Sequence, residues 1–120
     1  MGDVSVLAPG ARDTQLAGII LFGSLQVDVN NKKRVFERGR QIRLGTLQHR
    51  LLIYLVMHQH RVCTSAELRA YVWGDVFVSD NTFRRLLDRL RESLHSQSDI
   101  TIRTVRERGY QIERRIQAAA

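Results

Sequence analysis

The sequence predicts one α+β domain: an N-terminal four-stranded antiparallel sheet, three helices and a C-terminal β-hairpin. Three observations carry this. Short β-type runs separated by turn residues occupy the first third, apolar residues then recur at helical spacing in three segments, and two more β-type runs flank a glycine near the end. The chain has 120 residues and 43% hydrophobic content, enough for one core, and its single Pro and eight Gly exclude a low-complexity chain.

Residues 1–17 show no sustained apolar period and read as a leader or linker remnant. From Gly18 the β-type runs are Ile19 to Phe22, Leu25 to Val29, Arg34 to Glu37 and Gln41 to Leu44, separated by Gly23-Ser24, Asn30-Asn31 and Arg38-Gly39. Leu25, Val27 and Val29 alternate with Gln26 and Asp28, the pattern of a sheet with one buried side. Its cover starts near Thr46, where Leu47, Leu51, Leu52, Leu55 and Val56 repeat at helical spacing through His58. Thr64-Ser65-Ala66-Glu67 matches a capping box and opens a second, short helix containing Leu68, Val72 and Trp73. Ser79, Asp80 and Asn81 supply N-cap choices for a third helix, about 80–95, whose core stripe is Phe83, Leu87, Leu90 and Leu94. Thr101 to Val105 and Tyr110 to Glu113 form the hairpin, about 101–113, with Gly109 available for a positive φ. Residues 18–115 thus make the domain and 116–120 a tail. The layout is that of a winged helix-turn-helix.

Charge indicates what the domain touches. Nineteen basic against 12 acidic residues give a net charge of +7, and all the basic residues except Lys32 and Lys33 are Arg. Arginine forks match phosphates and base edges, so an acidic partner is expected. The stripe 83/87/90/94 leaves Arg84, Arg85, Asp88, Arg89 and Arg91 off the core side of the third helix, and Arg103, Arg106 and Arg108 sit in or beside the hairpin. A major groove admits one helix and an Arg on it can bond guanine with two hydrogen bonds, while an Arg at a narrow turn suits a minor groove. A solvated basic face fits the helix equally well; the hairpin arginines favour DNA.

Enzyme and membrane classes find little support. The longest apolar run, Leu51 to Met57, is far short of the roughly 20 residues that span a bilayer, and the N-terminus lacks a secretory signal. Cys63 has no partner for an internal disulfide and reads as a structural thiol in a reducing compartment, so a cytoplasmic protein is expected. His58 and His60 lie two apart without a ligand cluster, and no phosphate-cradling loop or nucleophile motif occurs, so neither catalysis nor a cofactor or metal is expected.

From Ile19 to Arg114 the sequence resembles the OmpR/PhoB-type winged-helix effector domain of bacterial response regulators. The matching pieces, in order, are Leu51-Leu52, Arg61-Val62, Glu67-Leu68, Val72-Trp73-Gly74, Ser79-Asp80-Asn81-Thr82, Arg89-Leu90-Arg91, Thr104-Val105-Arg106 and Gly109-Tyr110. The resemblance implies a sequence-specific transcription regulator of a two-component phosphorelay, bound to double-stranded DNA at the bacterial nucleoid. It makes the third helix the recognition helix, with Arg89 on bases in the major groove; Arg85, one turn earlier on the same helix, is expected at bases as well from its own charge and position. Arg106 then enters the minor groove. Trp73, Asn81, Thr82, Arg91, Thr104 and Tyr110 fall at backbone-contacting places, although Trp73 and Tyr110 suit a core role equally well, and the cations Arg84 and Arg108 beside them are expected on the backbone too. It further implies a loop, 74–78, that touches RNA polymerase, and two copies bound head-to-tail on direct repeats.

The sequence departs from the family pattern at Arg84, Arg85, Leu86 and Asp88 in the helix, which leaves the base preference unassigned. It also departs at Glu107 and Arg108 in the wing, and at Gly45 and Gln59-His60 around the first helix. About 17 residues precede the fold, so no receiver domain is expected within this stretch. The competing reading is a winged-helix module that binds an acidic protein, or nucleic acid by charge alone.

Overall fold

Alternation sets the first layer. In the computed structural model, which describes residues 18–114, four strands pair antiparallel in the order β1 (Ile19–Phe22), β2 (Leu25–Asp28), β3 (Val35–Glu37) and β4 (Arg40–Gln41). Leu25 and Val27 are fully buried while Gln26 is exposed, as the sequence pattern requires. The leader at 1–17 and the tail at 116–120 lie outside the described residues.

The fourth strand differs from its expected span of 41–44. Pairing with β3 covers Phe36 with Gln41 and Glu37 with Arg40, and one further bond from the Ile42 amide to the Val35 carbonyl closes the ladder. Ile42 and Leu44 are buried nonetheless, as the connection that leads into the helices. The two-residue turn that sets this pairing has φ of 53° at Arg38 and 84° at Gly39, the double positive pattern of a type I′ hairpin.

Three helices follow: α1 (Thr46–Met57), α2 (Ser65–Trp73) and α3 (Asp80–Gln97). α1 is the central one. It buries Leu51, Leu52, Ile53, Leu55 and Val56, and packs on β1, α2 and α3. Gly45 caps it without a side chain, and Gln48 compensates in part by accepting the Gly45 amide at 2.7 Å. α2 opens with the predicted capping box: Thr64 Oγ1 accepts from the Glu67 amide at 3.1 Å and Glu67 accepts from the Thr64 amide at 2.7 Å.

Glu67 is also the hub of a polar knot. Arg61 donates to both its oxygens, at 2.9 and 2.7 Å, and the Tyr54 hydroxyl donates at 2.7 Å. The Arg61 hydrogen bonds hold the Glu67 carboxyl well below the usual carboxylate range, against the smaller opposing effect of burial.

The described residues end in the antiparallel hairpin β5 (Ile100–Val105) and β6 (Gly109–Arg114), with β5 packed on α3. Cys63 joins this ribbon as an isolated bridge, exchanging two 2.8 Å backbone bonds with Tyr110. Gly109 makes that approach possible. Its φ is 147°, and a Cβ there would sit 2.7 Å from the Cys63 carbonyl carbon and 2.9 Å from Thr64 Cα. The Cys63 thiol itself is buried in the core, and burial pushes its pKa up.

A second knot joins the ends of the domain. Glu37, only 3% exposed, accepts from Ser24 and from Arg114, whose Nη1 also donates to Asp99 at 2.6 Å. One guanidinium thereby ties β3 and the β1–β2 turn to β6 and the α3–β5 junction. Arg38, with Nε 3.7 Å from Glu37, is a second and more distant cation for the same buried carboxylate.

Candidate nucleic-acid interface

Helical periodicity divides α3 cleanly. Phe83, Leu86, Leu87, Leu90 and Leu94 are buried, so Leu86 joins the expected stripe, while Asn81, Thr82, Arg84, Arg85, Asp88 and Arg89 are exposed. The start of the helix is held from two sides. Ser79 is the N-cap and accepts the Thr82 amide at 3.2 Å. Asp80 takes a hydrogen bond and ion pair from Arg69 of α2, which lowers its pKa and locks the two helices of the helix-turn-helix together. The same guanidinium lies 5.0 Å from the Phe83 ring centroid.

The exposed face opens onto two grooves. One, of about 230 Å³, is lined by Leu47, Trp73, Thr82, Arg85, Leu86 and Arg89, so residues from the starts of α1 and α3 and the end of α2 meet there. The other, of about 380 Å³, runs between α3 and β5 past Arg89, Arg91, Glu92, His95 and Thr101. Arg89 borders both.

The hairpin supplies the second half. Thr104, Arg106 and Arg108 are exposed around the turn, which is closed by an Arg108 amide to Val105 carbonyl bond at 2.9 Å. The sequence pointed to Gly109 for the positive φ. Glu107 has one as well, 64°, at the third position of that turn, where a side chain is strained and Gly is preferred. Tyr110 and Trp73 have the packing of the core reading, each half-buried against the core, and each also lines a surface groove. Tyr110 meets Phe83 edge-on at 5.8 Å.

Arginine usage sorts the site. Arg61, Arg69, Arg103 and Arg114 are all held by carboxylates. Arg84, Arg85, Arg89, Arg106 and Arg108, by contrast, form no ion pair with another described residue. Five cations on one helix face and one hairpin are thus left for an external anion.

Arg91 stands apart from them. Its Nε donates to the Ile102 carbonyl at 3.0 Å, its Nη2 to Thr104 Oγ1 at 2.7 Å, and its Nη1 lies 3.5 Å from Asp88. It therefore fixes the hairpin against α3 and orients Thr104. Periodicity placed Arg91 beside the core stripe, but nothing in the sequence assigned its donors to a strand some ten residues on. Arg69 and Arg114 escaped the sequence reading for the same reason, since their partners lie far along the chain.

Comparison with known proteins agrees with this geometry. A family described as "Transcriptional regulatory protein, C terminal" matches residues 39–112. The phosphate regulon transcriptional regulatory protein PhoB of Rhizobium meliloti is 34% identical over 115 residues, covering 94% of this chain and 50% of that protein. The chain therefore spans about half the length of that relative. Among solved structures, the DNA-binding domain of Escherichia coli CadC has a TM-score of 0.69 at 26% identity, over 82% of this chain and 94% of that one. The DNA-binding domain of Klebsiella pneumoniae RstA, solved in complex with the RstA box, has a TM-score of 0.64 at 29% identity, over 78% and 94%.

Proposed function

Because the chain belongs to the family of C-terminal domains of transcriptional regulatory proteins, we propose that it reads a specific sequence of double-stranded DNA, with α3 in the major groove and the β5–β6 hairpin in the neighbouring minor groove. The observation that carries the reading is the set of unpaired arginines, Arg84, Arg85 and Arg89 on α3 and Arg106 and Arg108 on the hairpin. None of these guanidiniums is held in an ion pair by a described carboxylate, so on two separate elements they are left for phosphates and base edges.

In this reading Arg89 and Arg85 make hydrogen bonds to base edges, and Arg106 occupies the minor groove, where negative potential is enhanced. Asn81, Thr82, Arg84, Trp73, Arg108 and Tyr110 hold phosphates and set the register. Arg91 and Thr104 act as a unit: Arg91 orients the Thr104 hydroxyl, which is left to accept or donate at the backbone.

Two partner contacts extend the proposal. The loop 74–78 carries Val76 and Phe77 at 66% and 87% exposure, apolar side chains suited to RNA polymerase. A second copy binds head-to-tail on a direct repeat. No helix among the described residues is long and apolar enough to cross a membrane.

Selection of sites from a random duplex library, at low and near-physiological salt, tests the reading. An enriched motif that persists at the higher salt supports it. Uniform loss of affinity with no motif would leave a charge-only binder.

A further inference from the structure

A second basic patch lies outside the helix and hairpin. Lys32 and Lys33 of the β2–β3 loop and Arg43 after β4 are exposed and line one depression of about 300 Å³ with Gln41 and Leu44; no carboxylate lines it. The nearest acids in sequence are already occupied, Asp28 by Arg34 at 3.3 Å and the Asn30 amide at 2.8 Å, and Glu37 by Arg114 at 2.7 Å. The loop is ordered by its own bonds, from the Lys33 amide to Asn31 at 2.9 Å and from the Gln41 amide group to the Lys33 carbonyl at 2.8 Å.

This patch is linked to the recognition face through the start of α1. Lys32 Nζ donates to Thr46 Oγ1 at 3.2 Å, at the first residue of α1, and the next residue, Leu47, lines the groove shared with Trp73, Thr82, Arg85 and Arg89. Placing an ammonium at a helix N-terminus, beside a Gly cap and with no acidic residue in the first turn, opposes the helix dipole. An anion bound beside both would relieve that repulsion.

From this juxtaposition we infer that Lys32, Lys33 and Arg43 grip the DNA phosphate backbone beyond the recognition helix. The inference rests on the DNA-binding reading. It makes the N-terminal sheet part of the protein–DNA contact, so the footprint is longer than α3 and the hairpin alone would cover.

The test compares the wild-type chain with the triple variant Lys32→Gln, Lys33→Gln, Arg43→Gln on a duplex carrying one selected site, extended by about one helical turn (about 10 base pairs) on either side. Each phosphate contact contributes about 0.9 to the slope of log K against log salt, so the variant's slope is expected to be shallower by about 2–3. Circular dichroism and thermal melting establish that the variant is folded. On a duplex trimmed to the motif the two slopes should converge. An unchanged slope on the extended single site overturns the inference, as does a difference that appears only on tandem sites, which would assign the patch to a neighbouring copy. If the wild-type chain shows no site preference at all, the DNA-reading proposal itself has failed.

Discussion

Replacing Gly109 by Ala sets a methyl group against the backbone of Cys63 and Thr64, 2.7 Å from the Cys63 carbonyl carbon and 2.9 Å from Thr64 Cα. Neither neighbour is a flexible side chain that can swing away. Two costs add. A non-glycine residue at φ of 147° carries about 1–3 kcal/mol of strain. Separating the strands also weakens the paired 2.8 Å bonds between Cys63 and Tyr110, each worth about 0.5–1.5 kcal/mol. Together these remove about 2–6 kcal/mol from a domain whose whole stability is about 5–15 kcal/mol. For a domain of this size the melting temperature should fall by more than about 10 °C. Thermal and urea unfolding followed by circular dichroism give the loss, and amide hydrogen exchange at Cys63 and Tyr110 reports whether the bridge itself has opened. A loss below about 1 kcal/mol with both amides still protected would refute the reasoning, because the hairpin would then have moved aside without strain.

Further predictions concern binding and pH. Arg89→Ala should cost about 1–3 kcal/mol of specific affinity and relax preference at one base position, read by competition among single-base variants of the selected site; intact discrimination would remove Arg89 from base readout. Arg106→Ala should weaken binding and erase any preference for narrow, A·T-rich flanks, and a preference that survives would place the hairpin outside the minor groove. Glu107→Gly relieves the residue at φ of 64° and removes a carboxylate from the hairpin tip, so stability should rise by about 0.5–1 kcal/mol and DNA affinity should rise with it; a fall in either contradicts the turn geometry. The depressed Glu67 carboxyl stabilises the fold above its ordinary unfolded pKa, and that contribution is lost as pH falls toward its lower native value. Between about pH 4 and pH 2 wild-type stability should therefore drop more steeply than that of Glu67→Gln, measured as urea midpoints, and parallel curves would contradict the assignment.

Local signals in the sequence were the ones that could be read. The Thr64 to Glu67 capping box and the 83/87/90/94 stripe each lie within a few residues, and their geometry follows from helix periodicity alone. The boundary of β4 was not legible, because Ile42 and Leu44 are apolar for burial in a connection and alternation cannot distinguish that from a strand. Gly109 read as a turn glycine, whereas its tighter constraint comes from Cys63, far upstream in the chain. The exposed arginines were visible as a group. What separated Arg91 from Arg89 was the carbonyl of Ile102 and the hydroxyl of Thr104, contacts that exist only once β5 packs on α3. Arg114 shows the same limit, since its carboxylates come from β3 and the α3–β5 junction.

The central claim is that α3 and the hairpin occupy adjacent grooves of one duplex. Dimethyl sulfate protection on a selected site tests it most directly, because the reagent marks guanine N7 in the major groove and adenine N3 in the minor groove. Bound protein should protect guanine N7 within the motif and adenine N3 in the flank next to it, with the guanine protection lost in Arg89→Ala and the adenine protection lost in Arg106→Ala. Binding that protects neither position, or protection indifferent to both substitutions, would contradict the account.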